Sequence, residues 1–169
     1  MTDRDPISPS TEPTPRLLAI DAGLRAGIAI FGADGRLERY RSTNFGSPSR
    51  LKKGTYGVMN EVPGLVRVVI EGGGPVAEPW IREMKRRKVA GLRVDAGIWR
   101  ERLLLPRDRR SGVDAKAQAD EIARQVIEWS GAPRPTSLRH DAAEAILIGL
   151  WGVLEIGWLP ALPDSLRPG

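Results

Sequence analysis

This sequence predicts an α/β fold built on a mixed sheet, and three stretches carry the prediction. Residues 17–20 (LLAI) and 27–31 (GIAIF) are apolar runs broken at Gly23, which reads as strand, turn, strand. Residues 65–70 (LVRVVI) form a β-branched run of the kind buried at the centre of a sheet. From Val76 the pattern turns helical and then gives a short strand at 91–95, a strand–helix–strand unit that implies parallel pairing.

Taken in order, the first fifteen residues hold four prolines with Ser, Thr and Asp and almost nothing apolar, and are expected to form a disordered tail. Strand one ends in Asp21. Asp34 and Gly35 mark a turn after Phe31, and the alternation of residues 37–41 predicts a third, half-exposed strand. Residues 49–60 hold a short helix bearing Arg50, Lys52 and Lys53, either a basic element facing phosphates or a solvated face. The central strand ends in Glu71, and Gly72, Gly73, Gly74 and Pro75 then let the chain turn sharply.

The helix predicted over 76–89 carries Pro79 in its first turn, with Trp80, Ile81 and Met84 on one face and Arg82, Lys85, Arg86, Arg87 and Lys88 on the rest. Residues 99–111 read as a basic loop holding Arg100, Arg102, Arg107, Arg109 and Arg110. A helix from about Asp114 follows, striped by Ala119, Ile122, Ala123, Val126 and Ile127, with Lys116 in a first turn where the helix dipole disfavours a cation. A last, mostly apolar helix runs from Leu138 or His140 to Ile156. Asp141 and Glu144, three apart, share a face of its first turn, with Cβ atoms about 5–6 Å apart.

Composition narrows the class. At 169 residues and 41% hydrophobic, the chain supports one domain, placed at 16–160 with a C-terminal tail at 161–169. The absence of cysteine excludes disulfides and thiolate metal sites. No run reaches membrane-spanning length, so no membrane is expected as partner, and a cytoplasmic protein is predicted, nucleoid-associated if bacterial. The 26 basic and 21 acidic residues leave a basic body beyond the acidic tail, which suggests a polyanionic partner.

Asp21 and Glu71 both end strands that fit side by side, and Asp141 with Glu144 opens a helix that must pack on the sheet. Four acidic groups brought together would repel unless a cation sat between them. Oxygen ligands of this kind suit Mg²⁺ or Mn²⁺. Two such ions about 4 Å apart activate a water and stabilise the leaving oxygen of a phosphodiester.

The order strand-Asp, hairpin, strand-Glu, helix, strand, helix and D-A-A-E resembles the ribonuclease H-like nucleases, and specifically the RuvC class of Holliday-junction resolvases. LLAIDAGLRAGIAIF is similar to that family's first motif, VVIEG to its second, HDAAEAILIGL to its last, and VDAKAQADEIARQV to its lysine-bearing stretch. The resemblance implies a five-stranded mixed sheet, three antiparallel strands then parallel ones, with helices on both faces. It implies metal-binding catalytic roles for Asp21, Glu71, Asp141 and Glu144, and a Lys116 that contacts the scissile region. His140 stands where plant chloroplast resolvases have a histidine, as a water activator or as a salt-bridge partner of the acids. The implied enzyme is a Mg²⁺-dependent homodimer that nicks opposed strands of four-way junction DNA, with branch-migration motor proteins as possible partners. The candidate DNA contacts are Arg50, Lys52, Lys53, Lys85, Arg86, Arg100, Arg102, Arg109, Arg110 and Lys116.

Departures from the family pattern are specific. Asp-Ala-Gly replaces the usual Asp-Pro-Gly, the triple glycine replaces the residues that carry the junction wedge, and the family's upstream lysine has only Arg100 or Arg102 as a substitute. Rival readings are a YqgF-type RNA-processing nuclease, which shares the Asp-x-Gly and Gly-x-Ala pattern, and a non-catalytic junction-binding protein. An actin-like ATPase needs duplicated domains that this length does not allow.

Overall fold

The computed structural model describes residues 11–109 and 111–167, and of residues 108 and 109 the backbone alone. Five strands form one sheet: β1 (Arg16–Asp21), β2 (Arg25–Gly32), β3 (Leu37–Asn44), β4 (Leu65–Glu71) and β5 (Ala90–Val94), in the order β3-β2-β1-β4-β5. The first three are an antiparallel meander, while β4 and β5 run parallel to β1. The mixed sheet read from the sequence is the sheet observed.

Side-chain alternation along β1 divides the core into two layers. Leu17 and Ala19 pack with α3 (Ala96–Leu103), α4 (Gly112–Ser130) and α5 (His140–Glu155). Leu18 and Ile20 pack with α1 (Pro48–Asn60) and α2 (Glu78–Arg87). Every residue over 142–154 is buried, because α5 lies between the sheet and α4 and has no solvent side to make polar. The helix begins with its first turn pressed against β2. A Cβ at Gly27 would lie 1.8 Å from the Asp141 carbonyl oxygen, so glycine is what allows that approach.

Three differences from the sequence-based expectation have physical reasons. β3 extends to Asn44 rather than ending at Arg41, because pairing of Ser42, Thr43 and Asn44 with Gly27, Ala26 and Arg25 keeps these polar residues in the ladder. The second helix is shorter than 76–89: a 3₁₀ turn over Gly74–Val76 precedes it, and Lys88 closes it in the left-handed conformation, φ 57°. The stretch 99–111, expected as a basic loop, is a correction. It begins inside α3, which the Asp95 side chain caps by accepting from Ile98 N at 3.0 Å, and continues as a 3₁₀ turn at Pro106–Arg109. Arginine-rich sequence hides this helix, since only Trp99 and Leu103 turn inward.

Residues 11–15 have no regular secondary structure, and the rest of the expected disordered tail lies outside the described residues. In the C-terminal stretch Leu166 is buried, packing with Leu159 into the core on the α4 and α5 side. No described helix is long and apolar enough to cross a membrane.

Candidate active site

The ends of two neighbouring strands set the site. In the parallel ladder Asp21 is the register partner of Glu71. Both follow the alternation of Ala19 and Val69, whose side chains belong to the layer containing α5. Glu144, one turn into α5, is buried at the same place. One carboxylate oxygen from each of Asp21, Glu71 and Glu144 lies within 4.8 Å of the others. Gly72, at φ 113°, turns the chain away immediately after Glu71, and the Ala22 N–H donates to the Glu71 carbonyl at 3.0 Å.

The fourth predicted acid stands apart from this triad. Asp141 accepts a hydrogen bond from Ser42 Oγ at 2.7 Å and from its own neighbour's amide, Ala142 N, at 3.0 Å, with Arg139 Nε 3.8 Å away. Its charge still raises the Asp21 pKa. Three of the four acids therefore converge directly, and Asp141 borders them.

Two cationic or proton-bearing groups hold Glu144. Arg100 Nη2 donates to Glu144 Oε1 at 2.9 Å, and His140 Nε2, one turn before it on α5, lies 3.1 Å from the same oxygen. Glu71 Oε2 accepts from the indole Nε1 of Trp99 at 2.6 Å. Consecutive residues of α3 thus reach two different carboxylates. Trp99 is the residue that sequence reasoning missed. Its signal was the Asp95 cap together with the apolar pair Trp99 and Leu103 at i, i+4, which marks a helix within an arginine-rich run.

Electrostatics separates the acids. Burial, then the charges of Glu144 and Glu71, a hydrogen bond with Glu144 and the charge of Asp141 push the Asp21 carboxyl up to about 8. Burial also raises Glu71, against the Trp99 hydrogen bond, which lowers it. Arg100 does not compensate three gathered carboxylates, so the proton is held tightly on Asp21, where a bound divalent cation would displace it. An all-oxygen donor set, a deficit of positive charge and close carboxylates fit Mg²⁺ or Mn²⁺.

The predicted basic contacts divide between the two helical layers. Arg50, Lys52 and Lys53 are exposed on α1, and Lys85 on α2. Arg86 is tied to Glu83 and sits over the Tyr56 ring at 5.3 Å. In the other layer, Arg100 holds Glu144 and Arg102 pairs with Glu155 at 3.0 Å. Lys116 is exposed in the first turn of α4, with no hydrogen bond or ion pair among the described residues. Of Arg109 the backbone alone is described, and Arg110 lies outside the described residues.

No protein-family model matches the chain, and no curated protein matches it by sequence. Among solved structures, Thermus thermophilus RuvC in complex with a Holliday junction substrate is similar to it, with 14% identity and a TM-score of 0.59 over 85% of this chain and 97% of that one. The catalytic core domain of BIV integrase matches far more loosely, with 6% identity and a TM-score of 0.33 over 90% of this chain and 88% of that one. The simian T-cell lymphotropic virus intasome, in complex with the PP2A regulatory subunit B56 gamma, gives 9% identity and the same TM-score over 99% and 56%. The five-stranded mixed sheet with helices on both faces is thus the ribonuclease H-like fold, in the form seen in RuvC.

Proposed function

We propose that this protein is a divalent-cation-dependent endonuclease that resolves four-way DNA junctions, acting as a homodimer that nicks two opposed strands. The observation that supports the reading most is the triad of Asp21, Glu71 and Glu144, gathered within 4.8 Å at the carboxyl ends of adjacent parallel strands. The RuvC-like fold and the basic body support the choice of a nucleic acid as substrate.

In this reading Asp21, Glu71 and Glu144 hold the cation, Mg²⁺ or Mn²⁺, as one or two ions, with Asp141 at the border of the site. When bound, the cation supplies activation of a water and stabilisation of charge on the leaving oxygen of a phosphodiester. Trp99 keeps the Glu71 carboxylate in one orientation, and Arg100 does the same for Glu144. His140, with Nε2 turned into the site, takes or returns a proton there. Lys116 contributes positive charge to the scissile phosphate. The exposed cations Arg50, Lys52, Lys53 and Lys85 contact the arms of the junction, through backbone phosphates rather than bases.

The test is cleavage of a labelled mobile four-way junction, with linear duplex and a structured ribosomal RNA precursor as competing substrates, in Mg²⁺ and in Mn²⁺. Paired nicks in the junction are expected from the wild type. Asp21→Asn is expected to bind the junction without cutting it. Equal cutting by both proteins rejects the site, and preference for the RNA moves the substrate to the RNA-processing class.

A further inference from the structure

At the β3 edge of the sheet lies a groove of about 510 Å³ between β3, the end of α1 and the segment 133–139. Four guanidinium side chains line it, those of Arg39, Arg41, Arg134 and Arg139, against one carboxylate, that of Glu61. Arg41 Nη1 pairs with Glu61 Oε2 at 2.8 Å, and Arg39 Nη2 donates to the Glu61 carbonyl at 3.0 Å. Those contacts hold two of the arginines in place; Arg134 Nη2 lies 3.7 Å from Glu128 Oε1 and Arg139 Nε 3.8 Å from Asp141 Oδ1, so four guanidinium groups face three carboxylates and a net positive charge remains along the rim. The lining between them is apolar, with Ile28, Ile30, Val58 and Leu138 joined by Pro133 and Pro135. Tyr40 adds an aromatic wall, its hydroxyl donating to the Pro133 carbonyl.

The groove reaches Asp141, at the border of the acidic site, though no member of the triad lines it. Ser42 lines it and donates to Asp141 Oδ2, and Arg139 and Ala142, which flank His140 and Asp141 in sequence, line it too. A strand laid across the triad has this groove as a neighbouring recess. An arginine rim around an apolar floor suits a nucleotide that has left its stack: phosphates at the rim, base on the floor. The volume falls in the range, about 300–1,000 Å³, that encloses a drug-sized ligand, the size class of one nucleotide.

We propose that the groove is a nucleotide subsite, holding one unstacked nucleotide of the strand that crosses the triad, with its base against Leu138 and Tyr40, both half-exposed on the α5 side of the sheet, and its phosphates on Arg39, Arg41, Arg134 and Arg139. The inference rests on the nuclease reading for the path of the strand, but its test does not need cleavage. A single unpaired nucleotide at the crossover is what the subsite selects. An intact duplex arm has no base to offer it.

The experiment is fluorescence anisotropy in EDTA, using a fluorescein-labelled four-way junction with one unpaired nucleotide at the crossover, the same junction with that nucleotide made abasic, and a linear duplex. Arg134→Ala with Arg139→Ala is expected to weaken junction binding about tenfold and to flatten the slope of log affinity against log salt by about 1.5 to 2. Arg67→Ala, which removes one charge from β4 outside the groove and so matches Arg134→Ala alone, is expected to bind as the wild type does. The abasic junction is expected to bind the wild type several-fold more weakly, and the loss to shrink in Leu138→Ala. Arg134→Ala alone keeps the test readable if Arg139→Ala disturbs α5, because the Arg134 side chain is 83% exposed. Wild-type affinity in the arginine variants overturns the subsite. So does an equal loss on linear duplex, or no difference between abasic and intact junctions. Uncut junctions with these binding losses intact reject the nuclease reading alone, whereas normal cutting with wild-type binding by the variants rejects the subsite alone.

Discussion

Two carboxylates in this molecule, one buried and one half-buried, have opposite fates. Glu83, on α2, accepts from Arg86 and Arg87 at 2.7 Å each, and those guanidinium groups hold its carboxyl down, at about 2. Asp21, at the end of β1, is half-buried among other acids and is pushed up to about 8. The chain has ample arginine to neutralise both. It spends two on the helix-layer glutamate and, among the described residues, brings to the acidic triad one arginine, Arg100, held to Glu144. The lesson is that the unfavourable electrostatics are confined to one place, where a ligand of opposite charge can relieve them.

The sharpest break of that contrast is Asp21→Asn. Junction cleavage should fall by about a thousandfold, while the metal-free variant melts higher than the wild type at pH 8, because the repulsion is gone. A cleavage time course and a thermal melt on the same preparations check both halves.

Next in size is Trp99→Phe. The ring still fills its pocket but no longer donates to Glu71, so Mn²⁺ affinity measured by calorimetry should drop about tenfold with little change in melting temperature.

The pH dependence follows from the shift at Asp21. Between the ordinary carboxylate value of 3.8 and about 8, the folded state binds a proton that the unfolded state has released. Stability of the metal-free protein therefore falls as pH rises through that window, by on the order of 1 kcal/mol per pH unit at most. Added Mn²⁺ should raise the melting temperature more at pH 8 than at pH 5. A stability curve flat from pH 5 to 8 would remove the contrast with Glu83.

The smallest effect is expected at Glu83→Gln, which leaves two arginines without their shared acceptor. Its melting temperature should fall by about 3 °C at pH 7, with cleavage unaffected. Because Glu83 is held low, its contribution is present above about pH 4.5 and is lost as pH falls toward 2.

How much of this was legible in the sequence depended on whether a residue's partner lay in its own element. Runs such as LLAI and LVRVVI announce buried strands by composition, and Asp141 with Glu144 share a helical face by spacing alone. The convergence of Glu144 with Asp21 and Glu71 needed the parallel pairing of β1 with β4, which puts the two strand-end acids on one rung. Trp99 was not legible as a site residue, because its role depends on α3 folding back to the strand ends and its sequence reads as charged loop. Nor was the separation of Asp141, which is decided by Ser42 from a strand a hundred residues away in the chain, near enough. The arginine groove was hidden for the same reason, since its walls come from three distant segments.

The register of β1 against β4 has a consequence for how such a site can change. Asp21 and Glu71 sit on the same rung, and neighbouring strands are about 4.8 Å apart whatever their side chains. The gap between these two carboxylates is therefore a property of the polypeptide backbone, beyond the reach of ordinary substitution. A slip of one residue would carry one carboxylate through to the α1 and α2 layer. Surrounding helices are free to drift, while the spacing of the two acids on that rung stays fixed by the ladder itself.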